Sequence, residues 1–207
     1  MDHIEELSRA LAHLPGIGPR QGKRFVYYLL AAPAAERAKL AELIAALSKE
    51  VRQCSECLRF FNGTLAAICN YCSDKTRDDS QLMLVEKDQD LAAVERAGSY
   101  RGRYFVLGGV LTLTGKGAIR EKELQKIVEK RLSANKAGLK NGLKEIVLAL
   151  SATSEGEHTT DRVRELLAPW RDVVKVSLLG RGLATGSELE YSDAETLRAA
   201  LTNRKET

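Results

Sequence analysis

The chain has 207 residues, of which 44% are hydrophobic and 29% charged, a balance that excludes a disordered chain and allows a real core. Its formal net charge is only +4, so charge alone gives no argument for a nucleic-acid partner. No apolar run is long enough to cross a bilayer, and the acidic residues 1–6 do not resemble a signal sequence. We therefore expect a soluble, intracellular protein.

Helical periodicity dominates the beginning of the chain. A proline–glycine segment, Leu14-Pro15-Gly16-Ile17-Gly18-Pro19, interrupts it, and Pro19 fits the first position of a new helix, where its missing N–H is not needed. The spacing of apolar residues predicts three helices that form one small domain, over residues 4–13, 19–30 and 34–52.

The interrupting segment is a candidate DNA contact. Gly16 and Gly18 allow positive φ and the close approach of another backbone. The helix that follows presents free N–H groups, and Arg20, Lys23 and Arg24 add positive charge in its first turns. This arrangement suits a phosphate and cannot read base identity. It resembles the helix-hairpin-helix motif; the alternative is an ordinary helix–helix turn in which glycine merely permits packing.

All four cysteines fall in one short window, as the two pairs Cys54-x-x-Cys57 and Cys69-x-x-Cys72. Two such pairs place four thiolates on facing turns, which is what tetrahedral zinc requires. No ligand position is left open for a substrate, so the predicted zinc is structural and a segment without its own core depends on it. Two disulfides, which need an oxidising compartment, and an iron–sulfur centre are the alternatives.

Beyond residue 79 the pattern alternates between short apolar strands and helices. Strands are predicted over residues 82–85, 104–107, 146–150 and 173–179, with helices over 89–97, 119–132 and 159–167. This alternation predicts a parallel sheet covered on both faces. Near the end of the chain, Ser192 and Glu195 have the spacing of a capping box and predict a final helix.

The first of these strands ends in a carboxylate, Glu86, at the edge where open sheets place their sites. This resembles the start of a Toprim domain, which combines such a Glu with an Asp-x-Asp pair to hold magnesium. The corresponding later strand is followed by Ser151-Ala152-Thr153, without either Asp. Glu155 and Glu157 come next; they either complete an acidic cluster with Glu86 or provide favourable charge at a helix N-terminus.

Residues 116–144 carry nine Lys or Arg against three Glu, a local excess on an otherwise balanced chain. This segment is either a phosphate-binding surface or a solvated helix face.

The chain carries, in order, LPGIGPR, the two CxxC pairs, LVEKDQDLAAVERAGSYRGRYFVLGG, SEGEHTTDRV and GLATGSELEYSDAETL. This order resembles the RecR family of bacterial recombination mediators over nearly the whole chain. The resemblance implies an α/β multidomain fold. Its expected parts are a small N-terminal helical helix-hairpin-helix domain (1–52), a four-cysteine zinc finger (53–78), a Toprim-like parallel αβ domain (79–180) and a C-terminal strand/helix extension for oligomerisation (181–207).

The resemblance also implies a function. It is that of a non-enzymatic mediator, a ring-like homotetrameric clamp on double-stranded DNA or duplex/single-strand junctions. Such a clamp works with RecO-like and RecF-like proteins to help RecA at single-strand gaps, in the cytoplasm and associated with the nucleoid. Arg20 and Arg24 match the family's DNA-facing basic residues, the four cysteines match its zinc ligands, and Glu86 matches an acid tied to partner contact.

The sequence departs from the family in several places, including Arg20-Gln21-Gly22-Lys23 in the hairpin helix, where Gly22 costs about 1 kcal/mol relative to Ala. Two other functions stay open: a Toprim-type metal-dependent nuclease or primase that uses Glu86, Glu155 and Glu157, and a zinc-ribbon interaction module that never touches DNA.

Overall fold

The structure is a computed structural model that describes residues 2–63, 65–114, 117–136 and 142–204. The chain divides into two compact units. One holds the chain up to Arg52 together with residues 62–63, and the other holds Gln53–Phe61 and the chain from Leu65 onwards.

The first unit contains three helices: α1 (His3–Ala12), α2 (Pro19–Ala31) and α3 (Ala34–Glu50). The Asp2 carboxylate caps α1 by accepting the N–H of Ile4 at 3.0 Å, and Pro19 opens α2 as predicted. Helices α1 and α2 approach each other at the buried Gly22. A Cβ on Gly22 would lie 2.6 Å from the carbonyl oxygen of Ser8 and 3.2 Å from the backbone nitrogen of Ala12.

The apolar stripe of α3 is not covered within the described part of the chain. The helix has no buried residue, and the exposed fractions of Leu43, Ile44 and Leu47 are 53%, 60% and 60%. The stripe that predicted the helix therefore forms an exposed apolar face, defined here with Leu40 as the α3 face.

Two short strands, β1 (Val51–Gln53) and β2 (Phe60–Asn62), form a two-stranded sheet, and a single-turn helix, α4 (Asn70–Ser73), follows. The second unit then alternates strands and helices. These elements are β3 (Asp78–Val85), α5 (Asp88–Ala97), β4 (Gly102–Val106), α6 (Glu121–Lys136), β5 (Glu145–Ala149), α7 (Ser154–Leu167), β6 (Lys175–Leu178) and α8 (Ala194–Thr202), with 3-10 turns at Ala168–Trp170 and Leu189–Tyr191.

The main sheet has four strands in the order β4-β3-β5-β6, and all neighbouring strands are parallel. Leu84 on β3 is level with Phe105 on β4 and Leu148 on β5. Alternate residues of β3 point to opposite faces: Leu82 and Leu84 join the cluster with α6 and α7, and Met83 and Val85 join the cluster that contains three cysteines. Both faces are covered, so the predicted parallel sheet and the α/β multidomain class are confirmed.

The strand order places a switch point at the carboxyl ends of β3 and β5, because the chain leaves β3 for one side of the sheet and later returns on the other. Glu86 follows β3 at this point, and Ser151 lies just beyond the end of β5.

One predicted cap is wrong. Asp193, and not Ser192, caps α8, because the Asp193 carboxylate accepts the N–H groups of Glu195 and Thr196 at 2.9 and 2.8 Å. Within the described residues 181–204, the C-terminal extension contains this helix and a 3-10 turn but no strand. None of the helices described is both long and apolar enough to span a membrane.

Candidate functional site

The four cysteines converge in the second unit. Their sulfur atoms all lie within 4.8 Å of one another, and the Sγ atoms of Cys57 and Cys69 are 3.6 Å apart. Cys54, Cys57 and Cys69 are buried, and Cys72 is partly exposed. The prediction that the two pairs meet is confirmed.

Each cysteine pair lies on a tight turn. In the first turn, the N–H of Leu58 donates to the carbonyl of Cys54 at 3.0 Å, and Leu58 itself is left-handed, with φ 60°. In the second, the N–H of Cys72 donates to the carbonyl of Cys69 at 3.1 Å. The two turns also meet directly, because the N–H of Cys69 donates to the sulfur of Cys54 at 3.3 Å. Backbone donors to sulfur stabilise thiolates, the form that binds metal.

The donor set fits a tetrahedral metal ion. Metal–sulfur bonds of about 2.3 Å place the sulfurs of a tetrahedron about 3.8 Å apart, close to the observed 3.6 Å between Cys57 and Cys69. A disulfide would require a sulfur–sulfur distance of about 2.05 Å, and all four cysteines are free. The site can therefore hold a metal ion.

The electrostatics of the four cysteines also favour a bound metal ion. Hydrogen bonding to the neighbouring sulfurs, to Cys57 above all, lowers the pKa of the Cys54 thiol, and the hydrogen bond with Cys54 raises the pKa of Cys57. Four crowded sulfurs share protons because they cannot all ionise side by side without a cation. A bound metal ion supplies that positive charge.

The hairpin between α1 and α2 presents the cationic residues that the sequence predicted. Arg20, Lys23 and Arg24 are exposed on the first turns of α2. Gly18 is the N-cap of α2 and provides no side-chain hydrogen bond, so the first N–H groups of the helix remain available to an acceptor. Gly16 adopts the left-handed conformation, with φ 77°.

Gly18 does not use the positive φ that glycine allows, because its φ is −87°. A Cβ at Gly18 would meet no atom within 4 Å. The first unit itself therefore gives no steric reason for glycine at this position, and the close approach of another backbone stays a prediction.

A groove of about 480 Å³ beside the hairpin adds two residues that sequence reasoning missed, Arg9 and His13. Both lie at the end of α1, and Lys23 of α2 lines the same groove. The only signal in the sequence was their spacing of four residues, which places them on one face of a helix.

The three candidate carboxylates do not form a metal site. Glu86 is 7% exposed, and its carboxylate accepts the N–H of Ser151 at 2.6 Å, joining the ends of β3 and β5. Glu155 and Glu157 lie in the first turn of α7, behind the Thr153 cap, and Glu157 pairs with Arg181 at 2.8 Å. In the described part of the chain, metal-ligand atoms converge at the four cysteines and not at these carboxylates.

Only part of the basic segment can be placed, because Lys116 and Lys140 lie outside the described residues. On α6, Lys122 and Lys126 are exposed, and Lys130 pairs with Glu56.

Comparison with known proteins gives the helical, Toprim and C-terminal modules in the same order. Residues 4–47 match the family profile described as the RecR helix-hairpin-helix, residues 80–179 that of the Toprim domain, and residues 182–205 that of the RecR C-terminal region. Proteins named Recombination protein RecR are similar along nearly their whole length. The one from Cereibacter sphaeroides is 37% identical over 202 residues, 98% of this chain and 96% of its own. That from Cutibacterium acnes is 37% identical over 205 residues, 97% of this chain and 94% of its own.

Proposed function

We propose the function of this chain from one premise: it belongs to the RecR family of recombination proteins. Its role lies in recombination and DNA repair. In finer detail, it acts as a non-enzymatic mediator that grips the backbone of duplex DNA and of duplex/single-strand junctions. With RecO-like and RecF-like partners it helps load RecA at single-strand gaps. These activities place it in the cytoplasm, at the nucleoid.

The observation that carries this proposal is the hairpin. Within the described residues, Arg20, Lys23 and Arg24 form no ion pair or side-chain hydrogen bond, so their charges are free to meet a phosphate. They lie beside the uncapped N-terminus of α2, which favours the same anion. Gly16 and Gly18 keep the approach clear of side chains. These contacts read the backbone and not the bases.

The test is the salt dependence of DNA binding. We expect Arg24→Ala and Arg20→Ala each to weaken binding to all sequences about equally and to reduce the slope of log K against log [salt] by about one. Lys39→Ala is the matched control, because Lys39 is also an exposed cation but pairs with Glu42 at 3.0 Å. Fluorescence anisotropy with a labelled duplex that has a single-strand tail measures both quantities.

Two outcomes contradict the proposal. Equal effects of Arg24→Ala and Lys39→Ala remove the hairpin from the mechanism, since only net charge then matters. The lack of any complex in dilute buffer favours an interaction module that never touches DNA.

The metal in the cysteine cluster is zinc in this proposal, held by Cys54, Cys57, Cys69 and Cys72. Four sulfurs in a nearly tetrahedral arrangement suit zinc, which has no redox chemistry and tolerates a closed site. Its role is structural. Metal analysis of the purified protein tests this assignment, and iron with sulfide in place of zinc would contradict it.

We propose that the chain breaks no bonds at the Toprim-like site. Glu86 is engaged with the Ser151 N–H, and no carboxylate stands at residues 151–153 after β5; magnesium-dependent phosphoryl chemistry needs several converging carboxylates. Glu86, Glu155 and Glu157 serve contact with a partner protein instead: the partly exposed Glu155 and the exposed Glu157 meet the partner, and the buried Glu86 holds the chain at Ser151 behind them. Incubation of DNA with the protein and magnesium or manganese checks this, and any cleavage or synthesis that Glu86→Gln abolishes would establish the enzymatic alternative.

The chain assembles with copies of itself, as a dimer or tetramer. The α3 face supports this, because exposed leucine and isoleucine side chains on one helix mark an interaction surface. The proposed domain bounds remain 1–52, 53–78, 79–180 and 181–207. Sedimentation of wild type and Ile44→Glu tests the assembly, and equal masses would exclude the α3 face from it.

A further inference from the structure

We propose that Arg103 and Arg120 are positioning residues of the metal centre, each fixing one cysteine turn to strand β4. The cysteine segment 53–78 and the sheet, although they are separate segments of the sequence, then unfold together as one cooperative unit. The inference rests on the proposed function in one respect, namely that the four cysteines hold a metal ion.

Arg103 fixes the second turn. It lies on β4 with its side chain buried, and its Nη1 donates to the carbonyls of Tyr71 and Cys72 at 2.9 and 3.0 Å. Its Nε donates to the Asp79 carboxylate at 2.7 Å, which orients the guanidinium. Hydrogen bonds from a charged donor are about twice as strong as neutral ones. One arginine of the sheet therefore sets the backbone at a metal ligand and at the residue before it.

The ring of Tyr71 is also held. Tyr71 lies between Cys69 and Cys72 in sequence, and the guanidinium carbons of Arg59 and Arg77 are 4.6 and 4.8 Å from its ring centroid. Both distances are within the range of cation–π attraction. The segment between the two ligands is therefore restrained through its backbone and through its side chain.

Arg120 fixes the first turn. Its Nη1 donates to the carbonyls of Leu58 and Val106, both at 2.9 Å. Leu58 follows the ligand Cys57 and is left-handed, a conformation that costs energy in a residue other than glycine. A partly buried charged donor on the Leu58 carbonyl helps to hold this conformation.

The backbone of β4 completes the connection. β4 lies at an edge of the described sheet, and its Val106 N–H donates to the carbonyl of Cys57 at 2.9 Å. An uncovered edge strand offers unpaired N–H and carbonyl groups to other chains. The first cysteine turn covers the end of this edge. The metal ion that shapes the turn therefore also keeps β4 from pairing with a strand of another chain.

Groups outside the ligand shell that orient metal ligands typically change metal affinity by about 10–100-fold when they are removed. We expect a loss of that size in Arg103→Met and in Arg120→Met. The matched control is Arg101→Met, an exposed arginine in the segment just before β4. The control should stay within about twofold of wild type, because it removes the same charge without touching either turn.

The experiment uses the full chain loaded with cobalt(II), a zinc substitute whose visible spectrum reports the geometry of its sulfur ligands. Competition with a chelator gives the affinity, and the spectrum gives the coordination. We expect weaker binding and altered bands for Arg103→Met, and partial recovery in Arg103→Lys. Unchanged affinity together with an unchanged spectrum in Arg103→Met and Arg120→Met would overturn the inference.

Two further measurements test the inference even if the arginine variants fail to fold. Asp79→Asn leaves both arginines in place but removes the carboxylate that orients Arg103, and it should weaken cobalt binding more than Arg101→Met does. In wild type, chelation of the metal should speed hydrogen exchange of the Val106 amide at least tenfold. Unchanged exchange would contradict the coupling between the metal centre and strand β4. A wild-type chain that binds no cobalt at all refutes the metal proposal itself, and this result differs from equal binding by wild type and variants.

Discussion

For the replacement of Gly22 by alanine, helix propensity and the contact between α1 and α2 predict changes in stability of opposite sign. In an exposed helix interior, alanine is favoured over glycine by about 1 kcal/mol, so local propensity alone predicts that Gly22→Ala stabilises α2. The structure predicts the opposite sign. The new Cβ would lie 2.6 Å from the carbonyl oxygen of Ser8 and 3.2 Å from the nitrogen of Ala12. Both are backbone atoms of α1, which cannot rotate away as a side chain can.

The two helices must therefore separate to admit the methyl group. Added volume at a packed contact costs about 1–3 kcal/mol, and an approach of 2.6 Å to a backbone oxygen belongs to the upper part of that range, about 2–3 kcal/mol. After the propensity gain of about 1 kcal/mol is subtracted, we expect a net loss of about 1–2 kcal/mol. Native-state hydrogen exchange at the amide of Val26, a buried residue on α2, should then become about 5–30-fold faster. Gln21→Ala, at an exposed position of the same helix, is the control and should change exchange little. Slower or unchanged exchange in Gly22→Ala would refute the close approach of α1 and α2.

Two further outcomes follow from the second unit. Asp193→Ala should destabilise α8 by about 1 kcal/mol, because it removes the cap, whereas Ser192→Ala should not; hydrogen exchange along α8 measures both, and equal effects would contradict the cap assignment. Burial raises the pKa of Glu95, but hydrogen bonds from Arg77 and Tyr104 lower it more, so it lies below the ordinary 4.5. The stability that the ionised Glu95 gains from Arg77 and Tyr104 is therefore complete above about pH 5. It is lost as the pH falls below 4.5. Urea midpoints of wild type and Glu95→Gln should converge in acid, and a constant difference would contradict the lowered pKa.

The sequence predicted the elements well where one local signal was strong. Periodicity located α1 and α2, and short apolar runs located the four strands of the main sheet. It missed the polar first half of β3, which begins at Asp78 and not at residue 82, because those residues are not apolar. It also chose Ser192 as a cap when the neighbouring Asp193 has the same local chemistry; the choice between them depends on where the helix begins.

The sequence by itself determined the order of the modules, the meeting of the four cysteines and the cationic hairpin, since each depends on residues close together along the chain. Only the tertiary structure decided that Arg103 and Arg120 reach the cysteine turns, that Glu86 binds the Ser151 N–H, and why glycine stands at position 22. These contacts join residues far apart in sequence. Their distances are fixed by the strand order β4-β3-β5-β6 and by the packing of α1 on α2, which no local pattern records.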